Sequence, residues 1–167
     1  IGGVKQISAG GAHTMLLMND GTVLGFGESL FGQIGNGTYL EQLWATPVIG
    51  ANGKAFGNVV AVRAGSNATA FLRADGTVWM TGRNTYGQLA QSLTVDKLNV
   101  PTQVLMADGS PLSGVTQIAL ESETVVVLRS DGSVWAWGAN DAGEVGPNAR
   151  QSGYSVTVPV RVPVTGL

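Results

Sequence analysis

Short apolar or alternating runs, cut by glycines, set the rhythm of this chain. The first set is Val4 to Ala9, His13 to Leu17 and Val23-Leu24-Gly25-Phe26-Gly27, with Asp20-Gly21 between the last two. The same order returns as Val59 to Gly65, Ala70-Phe71-Leu72 and Thr77-Val78-Trp79-Met80-Thr81 around Asp75-Gly76. It returns again as Val115 to Glu121, Val126-Val127-Leu128 and Ser133-Val134-Trp135-Ala136-Trp137 around Asp131-Gly132. An Asp-Gly pair between runs rich in Val, Leu, Thr and Trp is a strong hairpin signal, because a tight primed turn needs positive φ at both central residues. Three hairpins are predicted. Along the third, Trp135 and Trp137 share one face while Val134 and Ala136 share the other, since side chains alternate with period two. Both faces are apolar, which implies sheets covered on both sides. No stretch sustains a helical period, and each of the 25 glycines would cost a helix roughly 1 kcal/mol.

The glycines that close the third run fall at Gly27, Gly82 and Gly138, a period of 55 and then 56 residues. A further turn at Asn52-Gly53 and Asp108-Gly109 follows Pro47-Val48-Ile49 and Pro101-Thr102-Gln103-Val104, giving about four strands per repeat. Units of this size that stack apolar faces describe propeller blades. The fold expected is all-β: one repeat domain of three four-stranded antiparallel blades of a β-propeller, with repeats at approximately 1–58, 59–114 and 115–167.

The pattern Ala9-Gly10, His13-Thr14, Asp20-Gly21-Thr22-Val23 and Gly32-Gln33-Ile34-Gly35, followed by a loop ending in Pro47, resembles the regulator-of-chromosome-condensation repeat. The resemblance implies a propeller, seven-bladed in known members, and a structural hydrogen bond for His13. The third copy departs from the pattern. Leu120-Glu121 replaces Ala-Gly, Thr124 replaces the histidine, and Gly143-Glu144-Val145-Gly146 replaces Gly-Gln-Leu-Gly, so turn geometry is expected to be least regular there.

Three blades leave two apolar faces open, and open apolar faces mark interaction sites. Either further repeats cover them, or copies of the chain associate head-to-tail into a ring or filament, six blades from two chains being the simplest ring. A homo-oligomer is the expectation. The chain starts at Ile1 rather than Met, as a processed product or a piece of something longer would, and a leader would not be visible in it.

Composition narrows the chemistry. Only 12% of residues are charged and the net charge is −2, so no basic face is available for phosphates and nucleic acid is not an expected partner. No apolar run approaches the 18 or so residues of a membrane helix, and membrane insertion is not expected. Cysteine is absent and His13 is the only histidine, which removes thiol nucleophiles and the zinc templates. Gly25, Gly27 and Gly32 match no phosphate-loop spacing and read as turn and packing glycines. No Gly-x-Ser-x-Gly elbow occurs. Glu121 and Glu123 lie two apart and read as a solvated blade edge. No catalytic residue, metal or cofactor is expected, and the reading is of a non-enzymatic module.

Binding residues are sought where the repeats differ. Longer connections run over Asn36 to Thr46, Ala90 to Val100 and Pro147 to Val158, and loops on a rigid scaffold carry function. They hold Tyr39, Trp44, Leu98, Arg150 and Tyr154, among which Trp, Tyr and Arg are types enriched at binding hot spots. The partner expected is protein, first of all copies of the chain, with glycan as a second class. Absent cysteine, low charge and Gly/Thr/Asn-rich loops favour an extracellular or cell-surface site. Two alternatives stand beside this reading. One is a secreted enzyme inhibitor or scaffold cut from a longer propeller. The other is the guanine-nucleotide exchange implied by the family's name-giving member, which would need a full ring and a basic tail.

Overall fold

Every Asp-Gly pair closes a hairpin, but the turn is a different one from that predicted. In the computed structural model, which describes residues 3–147, 149 and 154–164, only the glycine of each pair has positive φ, +81° at Gly21, +77° at Gly76 and +80° at Gly132. Gly21 N donates to Met18 O at 3.1 Å and Met18 N to Thr22 O at 2.9 Å, a three-residue loop ending in a glycine bulge. The aspartate stays in ordinary backbone geometry and works through its side chain. Asp20 Oδ1 accepts from Thr22 N at 2.9 Å and from Thr22 Oγ1 at 2.6 Å, and Asp75 and Asp131 do the same with Thr77 and Ser133. These bonds, the hydroxyl one foremost, hold all three carboxyls below their usual range.

Among the described residues, twelve strands form three four-stranded antiparallel sheets, each from four consecutive strands. The first holds β1 (Val4–Ala9), β2 (His13–Met18), β3 (Val23–Gly27) and β4 (Gln42–Pro47). The second holds β5 (Val59–Ala64), β6 (Ala68–Arg73), β7 (Val78–Arg83) and β8 (Lys97–Gln103). The third holds β9 (Val115–Glu121), β10 (Thr124–Arg129), β11 (Val134–Ala139) and β12 (Ser155–Val162). β5 packs against β1 and β2, and β9 against β5 and β6, so successive inner strands lie side by side. The chain is an arc of three propeller blades.

The core lies in the two seams between blades. In the first seam Met15, Leu17 and Val23 of blade 1 meet Val62, Phe71 and Trp79 of blade 2, with Phe56 of the connection between them. Phe56 stands edge-on to Phe71 at 5.4 Å and to Trp79 at 5.5 Å. In the second, Ala70, Leu72 and Met80 meet Ile118, Val125, Val127 and Trp137. Trp135 and Trp137 thus point back to blade 2, while Val134 and Ala136 occupy the opposite face, as period two requires.

Polar groups of one blade are satisfied by the next. His13 Nε2 lies 2.9 Å from Thr69 Oγ1, and that hydroxyl donates to Gln33 O at 2.6 Å. The Thr69 proton is therefore spent on Gln33, so His13 must be the Nε2–H donor, and its buried Nδ1 is a bare acceptor with no partner. Burial lowers the His13 pKa from 6.5 to about 4.

Unfolded chains bind a proton in the window between pH 6.5 and about 4 that the folded His13 refuses, so stability is complete above pH 6.5 and falls as the pH drops through that window. The drop from this residue is roughly 3 kcal/mol. Urea denaturation at pH 7 and pH 4.5 should show it, and His13→Gln should flatten the dependence. An equal slope in the variant would remove His13 as its source.

Candidate protein-binding surface

Three kinds of surface compete for the role of site: the loops at one end of the arc, a polar cleft between blades 2 and 3, and the two blade faces with no neighbour. The loop end is built by a repeated device. After β3, Ser29 Oγ accepts from Ile34 N at 3.4 Å, and Asn84 and Asn140 Oδ1 accept from Leu89 N and Val145 N at 3.0 Å. The turn's own side chain adds a second tie, with Gln33 Oε1 taking Phe31 N at 3.0 Å and Gln88 Oε1 taking Tyr86 N at 2.9 Å. Glu144 Oε2 takes Ala142 N at 3.0 Å in the same way. The third turn, expected to be the least regular, keeps the geometry because a carboxylate oxygen replaces an amide oxygen in the acceptor role.

The sequence-selected residues scatter over this end. Tyr39 is in the first loop, and Lys97 Nζ stands 4.6 Å from its ring centroid, a cation–π contact across the blade 1–blade 2 boundary. Leu98, beside Lys97, is a strand residue of β8 and half-buried, so it is no loop residue. Trp44 belongs to β4, again a strand, and is 83% exposed. Tyr154 sits at the turn before β12 and is 74% exposed. Arg150 lies outside the described residues. Reading Asn36 to Thr46 and its counterparts as loops therefore took in most of β4 and the first half of β8 and of β12. Tyr39 is touched by Lys97, the chain neighbour of Leu98, and Trp44 and Tyr154 belong to blades 1 and 3.

Glu121 and Glu123 are separated by Ser122, whose φ is +51°, and do not form a pair. Glu121 lines a recess with Gly10 and Gly65 where the β1–β2, β5–β6 and β9–β10 turns meet. Glu123 turns into the seam between blades 2 and 3, in a cleft of about 320 Å³ with Arg83, Tyr86, Asp141 and Glu144. There it accepts a hydrogen bond from Nε2 of the fully buried Gln88. Burial raises its pKa, against the lowering pull of Gln88 and Arg83. The solvated-edge reading thus fits Glu121 and not Glu123. Among the described residues no group of three or more acidic or histidine side chains is arranged to hold a metal ion.

Among the described residues, the blade faces without a neighbouring blade also expose apolar side chains. On the face of blade 1 that points away from blade 2, Ile7 is 72% exposed, and on its outer strand β4 the adjacent Leu43 and Trp44 are 79% and 83% exposed. Leu16 stands opposite Ile7, and Leu24 opposite Leu16, and both are half-buried on the same face. Sequence reasoning missed Ile7 and Leu43. The available signal was comparison between copies: Val62 and Ile118 occupy the position of Ile7 in the other inner strands and are 0% and 4% exposed.

Comparison with known proteins identifies the repeat. A family model described as the regulator of chromosome condensation (RCC1) repeat matches residues 4–33 and 59–88, and a second of the same description matches 75–128, together more than half the chain. The chain is 31% identical over 159 residues to a probable E3 ubiquitin-protein ligase, HERC4, of Rattus norvegicus, covering 90% of this chain and 14% of that one. It is 30% identical to the regulator of chromosome condensation of Mus musculus, covering 86% of this chain and 32% of that one. The chain therefore spans a third or less of these curated relatives. Among solved structures, human WBSCR16 superposes with a TM-score of 0.80 at 24% identity, over 98% of this chain and 40% of that one. Prp20p from Saccharomyces cerevisiae, characterised for binding to Gsp1p and histones, superposes with a TM-score of 0.74 at 22% identity, over 97% of this chain and 39% of that one.

Replacing Glu123 separates its charge from its bond. Glu123→Ala leaves the Gln88 amide buried without an acceptor and should cost about 1–3 kcal/mol at pH 7. Glu123→Gln keeps an acceptor and removes the charge that burial disfavours. A raised folded pKa means that stability is lost as the pH rises past the unfolded value, so Glu123→Gln should be at least as stable as wild type at pH 7 and lose that advantage at pH 4. Denaturant midpoints at both pH values check this, and an alanine variant as stable as wild type would contradict it.

Proposed function

The chain belongs to the regulator of chromosome condensation repeat family, and from that premise we propose that it is a non-catalytic protein-binding module, an arc of propeller completed by further blades of the same repeat. The uncovered face of blade 1 carries the reading. Ile7, Leu43 and Trp44 stand in solvent, whereas the residues that match Ile7 in blades 2 and 3 are buried against a preceding blade. Each blade–blade contact in a repeat array adds a nearest-neighbour stabilisation, and an unpaired face forgoes it.

The loop end is the surface offered to a protein partner. Tyr39, Leu40 and Tyr154 are exposed there, and the exposed tyrosines are of the type that supplies rigid, amphipathic contact area. Protein is favoured over glycan because the apolar Leu40 and Leu93 are also exposed at this end. Binding of proteins by a relative, Prp20p with Gsp1p and histones, supports the class of partner. The ligase activity named for HERC4 is not carried over, because these three blades match only 14% of that protein.

A tandem fusion tests the reading. Joining a second copy behind the first through a short flexible linker places the face of blade 1 of the second copy next to blade 3 of the first. If these faces accept a blade, the fusion melts about 5 °C or more above the single chain. Leu43→Lys/Trp44→Lys in the second copy should cancel the gain. Identical melting temperatures for the fusion and the single chain would overturn the reading.

A further inference from the structure

A cavity of about 350 Å³ lies where the connection from blade 1 meets the middle strands of blade 2. It is walled by Phe56 and Trp79, bounded by Asn52 and Gly57, and holds one charged side chain, Arg73. The Arg73 guanidinium stands over two aromatic rings at once, its carbon 5.6 Å from the centroid of Phe56 and 5.7 Å from that of Trp79. Ring faces hold a guanidinium without using its N–H groups. Nε is buried there and meets no acceptor. Asp75 feels the charge of Arg73, but its Oδ1 is spent on Thr77 N and Oγ1.

Blade 3 shows how the same residue is satisfied inside the chain. Arg129 occupies the place of Arg73, by the register that sets Val115 opposite the one and Val59 opposite the other, and Trp135 occupies that of Trp79. Arg129 stands 5.9 Å from the Trp135 ring centroid and donates from Nε to Ser113 O at 2.8 Å. Phe56 is matched by Leu112, since Phe56 N donates to Val48 O and Leu112 N to Val104 O at the same point of the two connections. A second ring thus replaces an aliphatic side chain beside Arg73, and the bond that satisfies Arg129 Nε has no equivalent there. Gly57, the counterpart of Ser113, leaves space, because a Cβ built on it would meet nothing within 4 Å. Asn52 adds a second donor: Lys54 N occupies its Oδ1 at 3.0 Å and leaves Nδ2 for another acceptor.

We propose that this cavity binds an acidic side chain of a protein partner, its carboxylate paired with the Arg73 guanidinium and its methylene carbons against Phe56 and Trp79. A planar fork of N–H donors matches a carboxylate in shape and charge. Arg73 is the one charged residue lining the cavity, so the site balances the single charge of a carboxylate and not the nearly double charge of a phosphate monoester. The choice of a protein-borne acid over a free one rests on the reading of the chain as a protein-binding module. The cavity sits at the end of the blades that carries the Asp-Gly hairpins, opposite the loops of Tyr39 and Tyr154, and so constitutes a second contact surface.

Proton–nitrogen NMR of the whole chain, reading Arg73 Nε–H and Trp79 Nε1–H, tests the assignment. A capped Gly-Glu-Gly tripeptide should shift both signals saturably, and the Gly-Gln-Gly peptide should bind roughly 10-fold more weakly, since an amide brings no charge to the fork. Arg73→Lys, which keeps the charge and loses the fork, and Phe56→Leu, which copies Leu112, should each weaken the glutamate peptide when read at Trp79. Backbone amide signals that stay dispersed in both variants show that the fold is intact. Absence of a shift with the glutamate peptide, an equal response to the glutamine peptide, or tighter binding of acetate or inorganic phosphate than of the peptide overturns the proposal. The tandem fusion reads the blade faces and does not involve Arg73, so either reading can fail without the other.

Discussion

The seam between blades is the constraint from which the rest follows. After its third strand each blade folds a glycine-rich turn forward over its own sheet, and the turn's carbonyls face the next blade, away from water. Thr69 caps Gln33 O at 2.6 Å, Thr81 reaches Gly32 O at 2.9 Å, and Trp137 Nε1 donates to Gln88 O at 2.8 Å. A buried carbonyl without a donor costs about as much as a typical mutation in a small protein, so removing the following blade strips polar satisfaction as well as apolar cover. Close approach reinforces this: a Cβ on Gly65 would lie 2.7 Å from Ser122 O in the next blade. A single blade is therefore not a stable unit, and the array is its own solvent shield.

Chemistry varies within that seam while geometry does not. The donor that caps the turn is a threonine hydroxyl in one seam and an indole N–H in the other. The acceptor that closes the turn is an amide in Gln33 and Gln88 and a carboxylate in Glu144. Substitutions of this kind succeed because each keeps a hydrogen-bonding atom at one point in space. Where the atom has no counterpart the seam shows it: Gln88 Nε2 finds Glu123, whereas the matching Nε2 of Gln33 is buried and unpaired. The first seam instead carries the His13–Thr69 bond and a Gln6 side chain bonded to both peptide groups of Val62, which the second lacks.

Much of the fold was legible because its signals are local. The Asp-Gly hairpins, the period read from Gly27, Gly82 and Gly138, and the opposed faces of Trp135 and Val134 need only neighbouring residues. The turn type was misread because Asp-Gly satisfies two turns, and the choice here comes from a threonine or serine two residues after the aspartate, whose hydroxyl and amide both bond the carboxylate. The outer strands were misread for another reason. A strand such as Gln42–Pro47 is exposed over most of its length, so it lacks the alternation that marks a half-buried strand and resembles a loop. Trp44 and Leu98 were assigned to loops on that account. Glu123 was read as part of a solvated edge because its burial depends on a seam between residues far apart in sequence.

Ile7 shows what a repeat conceals and what it can reveal. As sequence it is one more apolar residue in an inner strand, indistinguishable in kind from Val62 and Ile118. Its meaning lies in its place in the order: the same residue type is core in the second and third copies, where a described blade precedes it, and exposed in the first. The two end faces of such an array are also unlike each other, one presenting Ile7 and Leu43 and the other Gln117 and Val126. A blade that covered either in the manner of the internal seams would repeat the direction of the chain. An array of this kind therefore carries the direction of the chain in the contacts that hold its own blades together, each seam joining one face of a blade to the opposite face of the next.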